Sequence, residues 1–311
     1  MGVITKKKTE SREEWKELRS HYIGGSDAAA VVGLNSFSSP YALWAEKTGR
    51  VPGFTGNLAT EVGTYLEDFV AQKFASETGK KVRRVNQSIF NSDYPWSIAN
   101  IDRDIIGEDA GLEIKTTGEL NLKRFKNGEY PPNYYCQCVH YMAVTGKQRW
   151  YLAVLIGNRE FRWFTIERDE DEISALMSAE KGFWELVKND TPPAPDGAEA
   201  TSNTISAMFP DSDDSTADLT GYRGELGEYM ALKKQIKELT KQLDGIANTI
   251  KALMGASSRG ESGEFRVSWA PSTRRSFDSR RFAEENPDVD LDDYYNESTT
   301  RTFRVSKQKG A

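Results

Sequence analysis

Two cysteines and two histidines are all that 311 residues provide of the softer metal ligands. Cys136 and Cys138 form a lone C-x-C inside an apolar, helix-patterned stretch. That excludes a disulfide framework, a four-ligand zinc site and an iron–sulfur cluster, and predicts free, buried thiols. His21 and His140 leave His-based metal or triad chemistry poorly supplied. Long apolar runs are also missing. No stretch approaches membrane-spanning length, and residues 1–10 (MGVITKKKTE) lack the apolar segment of a signal peptide, so the expected location is cytoplasmic. An excess of positive charge is absent too. A net charge of −6 excludes a protein that coats nucleic acid over its whole surface, but not one with a local basic channel.

What is present is patterning. The length predicts one large domain or two smaller ones. Residues 12–20 (REEWKELRS) read as a short helix. IGGSDAAAVVGLN follows, a glycine pair and a Ser-Asp cap opening an apolar helix. Ser39-Pro40 opens another, and residues 61–78 a third, with Val62, Leu66, Phe69, Val70 and Phe74 at helical spacing. By alternation, residues 97–106 and 111–116 form a hairpin around the turn 107–110. NYYCQCVHYMAVTG reads as a helix with Tyr134, Cys138, Tyr141 and Met142 on one face. Two strands, 149–156 and 160–166, and a helix over 170–188 complete the pattern. The order predicts an α/β domain over residues 1–190, with a central mixed sheet flanked by helices.

The predicted hairpin carries the chemistry. Glu113 and Lys115 lie two apart in one strand and share a face, and the hairpin can bring Asp102 to it. Asp104 is a rival acid on the same strand face. Two carboxylates and an ammonium at one spot suit metal-assisted phosphodiester hydrolysis, since hard oxygen ligands hold Mg²⁺ and the lysine acts on the attacking water. In an arbitrary protein, however, an E-x-K pair is more often a solvated cross-strand charge pair. Spacing alone does not decide.

Residues 191–220, rich in Pro, Ser, Thr and Asp, read as a linker. A C-terminal extension over 221–311 follows. In it Tyr229, Leu232, Ile236, Leu239, Leu243, Ile246, Ile250 and Leu253 recur at three- and four-residue steps, a narrow seam suited to a helical hairpin, a coiled coil or packing on its own domain. Beyond it, EFRVSWAP and TRTFRVSK read as strands able to pair.

Taken together, IGGSDAAAVVGLNSFSSPYALWAEKTG, GTYLED, the I-D acid ten residues before EIK, and YYCQCVHYM resemble the YqaJ-like phage recombinases. These are relatives of lambda exonuclease with the PD-(D/E)XK restriction-endonuclease-like fold. The resemblance covers residues 12–188. It implies that Asp102 and Glu113 are metal ligands and catalytic, with the carbonyl of Ile114 and with Glu67 of GTYLED completing the metal set. It makes Lys115 the catalytic lysine and Gln137 the glutamine of a Q-x-x-x-Y helix. Arg19 and Ser26, seven residues apart, match a 5′-phosphate-binding pair. A helix N-terminus opened by Gly24-Gly25-Ser26 suits an anion as well.

The implied activity is a Mg²⁺-dependent exonuclease of phage recombination, with two ions expected and Mn²⁺ able to substitute. It would digest one strand of double-stranded DNA from the 5′ end in the bacterial host cell and leave a 3′ single-strand tail. The implied partners are DNA ends, a single-strand annealing protein and further copies of the chain, lambda exonuclease being a ring-shaped trimer.

Overall fold

The computed structural model describes residues 2–213, 215–297 and 299–307. They divide into two compact units, one ending at Phe209 and one starting at Pro210. The first opens with β1 (Ile4–Lys7), α1 (Arg12–Ser20), the short β2 (Ile23–Gly24), α2 (Gly25–Val31), α3 (Pro40–Lys47) and α4 (Leu58–Thr78). β3 (Lys81–Arg84), β4 (Ser88–Asn91), β5 (Ser97–Ile98), β6 (Arg103–Ile106) and β7 (Ala110–Thr117) follow. After a 3₁₀ segment come α5 (Pro132–Thr145), β8 (Arg149–Ile156), β9 (Glu160–Glu167), α6 (Glu170–Lys188) and α7 (Glu199–Met208). The second unit holds α8 (Arg223–Met254), β10 (Arg259–Ser262), β11 (Phe265–Ser268) and α9 (Ser279–Glu285).

Five strands form a mixed sheet in the order β3-β6-β7-β8-β9, with only β7 and β8 parallel. That parallel pair needs a crossover, and α5 supplies it. Alternation along β8 then sorts the core. Trp150, Leu152, Val154 and Ile156 face α5 and α6, whereas Tyr151 and Ala153 join Val70, Ala71 and Phe74 of α4 on the other face. Gly111 sits opposite Trp150, where a Cβ would come 2.3 Å from the indole, so this ring requires glycine across the ladder.

The structure differs from the sequence expectations in several places. The hairpin is interrupted: β6 pairs with β7 only at Arg103↔Leu112 and Asp104↔Gly111, and Asp102 lies before the strand begins. On α4 the strip facing the sheet is Gly63, Glu67, Val70, Ala71 and Phe74, so Val62 and Phe69 turn to solvent. Helix α5 is buried all round from Cys136 to Val144, since α2, α6 and the sheet enclose it. Within the stretch read as linker, α7 packs on α3. Thr201 is buried there, and its hydroxyl donates to Ser39 Oγ at 2.7 Å. In the second unit β11 pairs with β10 across a turn at Gly263, not with residues 300–307, which form no strand. A two-residue turn closes a local hairpin at far lower entropic cost than a long loop.

Candidate active site

The divergence of β6 from β7 makes the site. Beyond Leu112 the ladder stops, which leaves the N–H of Ile114 without a strand partner on that side. Asp102 takes it: its Oδ2 accepts from Ile114 N at 2.7 Å. This brings Asp102 beside Glu113. Asp104, one ladder step away, is instead held by Lys147 at 2.8 Å and Arg83 at 2.6 Å. Burial works to raise Asp104, but those two cations keep it below the ordinary aspartate range. Asp104 is thus committed to ion pairs at the far end of the strand.

Glu113 and Lys115 point to the α5 face. Lys115 Nζ lies 2.7 Å from Glu113 Oε1, donates to Gln137 Oε1 at 2.8 Å and sits 5.3 Å over the Tyr134 ring. Gln137 in turn donates to Tyr141 Oη at 2.9 Å, and Tyr141 donates to the carbonyl of Asn100 at 2.9 Å. Each member is therefore fixed by the next. Burial, and next the charge of Glu113, push Asp102 well above the usual carboxylate range. Burial raises Glu113 too, against the pull of Lys115. Glu113 Oε2 is buried and receives no hydrogen bond. An orphaned carboxylate oxygen beside a second raised carboxyl is a donor set short of a cation, and hard oxygen donors suit Mg²⁺ or Mn²⁺.

Glu67 reaches the same place from the opposite layer but is engaged. Arg103, only 3% exposed, forms ion pairs with Glu67 and, at 2.5 Å, with Asp68, and donates to the carbonyl of Asp102 at 2.6 Å. With Glu67 bound in this way, no group of three or more acidic, His or Cys side chains stands ready as a metal cage among the described residues. Arg103 was not singled out by the sequence reading. Its signal was its place directly after the acid, in I-D-R.

Arg19 and Ser26 also meet, through a hydrogen bond from Arg19 Nη2 to Ser26 Oγ. Ser26 is the second residue of α2, not its cap; the cap is Gly24, whose N–H donates to Asp27 Oδ2 at 3.0 Å. Since α2 has only seven residues and Asp27 already takes that N–H, its macrodipole adds little for an anion. The positive charge comes from Arg19 and from Lys47, which is 2.9 Å from Asp27 and almost fully buried. Burial alone would raise Asp27, yet Lys47 and Arg19 hold it far below the usual range. Neither Lys47 nor Asp27 was anticipated as part of the pocket. Gly25 ties the pocket to the acidic cluster: a Cβ there would come 2.5 Å from the Tyr141 ring and 3.1 Å from Gln137.

Cys136 and Cys138 are free and buried, and burial raises both thiols. They are inert packing residues.

Comparison with known proteins places this arrangement. Residues 14–148 match the YqaJ-like viral recombinase domain. Over 293 residues the chain is 38% identical to the uncharacterized protein YqaJ of Bacillus subtilis strain 168, covering 92% of each. The crystal structure of the Laribacter hongkongensis alkaline exonuclease LHK-Exo in complex with dAMP is 24% identical, with a TM-score of 0.50, over 57% of this chain and 93% of that one. That likeness concerns the fold, and the central mixed sheet with its flanking helices is of the PD-(D/E)XK type. On the strength of the sequence relationship, which spans nearly the whole chain, the protein belongs to the YqaJ-like viral recombinase family.

Proposed function

We propose that the chain is a Mg²⁺-dependent DNA exonuclease. In this reading it digests one strand of a duplex from the 5′ end, releases 5′-mononucleotides and leaves a 3′ tail for an annealing protein. The observation that carries it is Glu113 Oε2, buried without a donor, next to Asp102 and with an ammonium two residues on. Membership of a viral recombinase family supports DNA as the substrate.

Asp102, Glu113 and the carbonyl of Ile114 would hold the ions, joined by Glu67 when Arg103 releases it. When bound, the ions supply Lewis-acid activation of water and neutralise phosphoryl charge. The protein's own groups do the rest. Burial works against the Lys115 ammonium, but Glu113 more than compensates, so the lysine holds its proton more tightly than usual. Lys115 therefore acts as a fixed positive charge toward the phosphate and not as a proton acceptor. Gln137 is neutral and holds Lys115 in place without altering the charge balance. Arg19, Ser26 and Lys47 form the 5′-phosphate pocket, one glycine contact away.

The test is digestion of linear duplexes with 5′-phosphate or 5′-hydroxyl ends, and of closed circles, with Mg²⁺ and with EDTA. Phosphorylated ends should be cut faster by about 10- to 100-fold, the worth of a charge-assisted set of bonds. Circles should stay intact. Cutting of circles would replace this reading by a nicking or structure-specific endonuclease. Failure to hydrolyse any substrate would make the chain a non-catalytic DNA-binding assembly module.

A further inference from the structure

In the second unit, α8 shows apolar side chains where water should have polar ones. From Tyr229 to Leu253 they recur in strictly alternating steps of three and four, along about 37 Å of helix. None of α8 is buried, and the eight side chains are 37% to 83% exposed. The rest of the unit reaches only the ends of this seam. Phe303 stands edge-on to Tyr229 at 5.5 Å, and the β10–β11 hairpin lies near Met254 at Gly260. Between them Leu232, Ile236, Leu239, Leu243 and Ile246 stay at least half exposed.

We propose that the occupant of this seam is the α8 of a second copy of the chain, in a parallel two-stranded coiled coil. Width is the first argument. A helix that packs on a globular body needs a stripe of 100° or more, whereas a strict 3–4 alternation gives only the two-position seam that a coiled coil buries. The positions flanking the seam confirm that it is no wider: Lys233, Thr240, Gln235, Gln242 and Thr249 are polar, and Ala247 is small.

Core chemistry is the second. At the first core position of each heptad stand Tyr229, Ile236, Leu243 and Ile250. At the second stand Leu232, Leu239, Ile246 and Leu253. β-Branched residues weighted to the first position and leucine to the second favour two strands over three.

Charge is the third. In a parallel pair, Glu228 of one helix faces Lys233 of the other, five residues on, and no like charges oppose each other. An antiparallel pair sets both charges against neutral residues. The remaining charges, Lys234, Lys237, Glu238, Lys241, Asp244 and Lys251, fall on the outer face. The seam is distant in sequence from the acidic cluster, so assembly and hydrolysis can be read separately.

The test uses the full chain. Light scattering at tens of micromolar should give twice the 34.9 kDa monomer mass. Ile236→Asp with Leu243→Asp should raise the dimer dissociation constant by about a hundredfold or more, because each carboxylate would be buried unpaired. Both positions are exposed in the single chain, so its melting should not change. Leu253→Cys should cross-link into a dimer under mild oxidation, as matched core positions meet only in a parallel pair. Glu228→Lys should weaken pairing, and adding Lys233→Glu should restore it. A monomer, a trimer, a dimer indifferent to the aspartates, or a Leu253→Cys chain that fails to cross-link while dimeric would each overturn the proposal.

Discussion

The two units break the rule of burial in opposite directions. Around β7 the first unit buries charge: Glu113 is almost fully enclosed, Asp102 nearly so, and Arg103 lies in the floor. Along α8 the second unit exposes hydrocarbon. Each arrangement is costly for an isolated chain and becomes reasonable once something absent from it arrives. For the buried acids that is a cation, and for α8 an apolar surface. Misplaced groups thus indicate the chemistry of what is to be bound, and the two units ask for unlike things.

The largest expected effect breaks the first half of this comparison. Asp102→Asn or Glu113→Gln should lower Mg²⁺-dependent hydrolysis by about a thousandfold or more, the loss of several kcal/mol of transition-state stabilisation. The same substitutions should leave the melting temperature unchanged or raise it, because they remove repulsion between buried carboxyls. Asp104→Asn should keep activity, since its partners are Lys147 and Arg83. Nuclease assays and calorimetry on the three variants check both statements. Full activity in the first two would remove the cluster from the mechanism.

Next comes the phosphate pocket. Arg19→Ala should erase most of the preference for 5′-phosphorylated ends, a change of about 10- to 100-fold in the ratio of rates. Asp27 is held low by Lys47 and Arg19, so its contribution to stability is present above the unfolded aspartate value and is lost as pH falls through its depressed one. Rates on paired substrates measure the first effect, and acid titration of wild type against Asp27→Asn the second.

A smaller effect tests whether every buried charge in the first unit is a binding site. His140 lies fully buried on α5, 2.7 Å from Glu180 on α6, with its other ring nitrogen 3.0 Å from the carbonyl of Ile98. Burial pushes its pKa down, but the Glu180 charge and hydrogen bond outweigh it, and the net shift is upward. A raised histidine stabilises the fold fully below its unfolded value near 6.5 and loses that contribution as pH rises through its folded one. Thermal melts should therefore fall on the alkaline side, and His140→Gln with Glu180→Gln should flatten that slope. This pair is satisfied within the protein and needs no ligand.

The smallest effect sharpens the second half. A chain ending at Phe209 should keep its melting temperature and Mg²⁺-dependent cleavage, because the first unit includes α7 and its Thr201–Ser39 bond. Leu239→Ser in the full chain should change melting by less than about 0.5 kcal/mol, as expected at an exposed site. A large loss in either would mean that the seam supports the first unit.

Much of this was legible in the chain. Arg149 to Ile156 alternate and are apolar enough to be a strand whatever surrounds them, and Glu170–Lys188 carries an amphipathic helix with an Asp169 cap. Such signals are local, so sequence yields them. The E-x-K pair was legible too, and two residues apart on a strand it had to share a face. Asp102 against Asp104 was not decidable from alternation, which puts both on one face of a continuous strand. What decides it is where β6 leaves β7, a non-local event that frees the Ile114 N–H for one acid only. In the same way α4 shows apolar residues over a wide arc, and only docking on the sheet selects Gly63, Glu67, Val70 and Phe74.

Sequence by itself determined which elements form, which residue types can do chemistry, and that α8 carries a seam of period 3.5. Those properties follow from covalent order and local periodicity, which every copy of the chain carries whether folded or not. Tertiary structure decided which acid joins Glu113, that Arg103 restrains Glu67, that Gly25 sets Arg19 and Ser26 beside Gln137, and that His140 is a spent charge. Each of these depends on groups far apart in the chain meeting in a medium of low polarity, where the energy of a charge is set by its neighbours and not by its position in sequence.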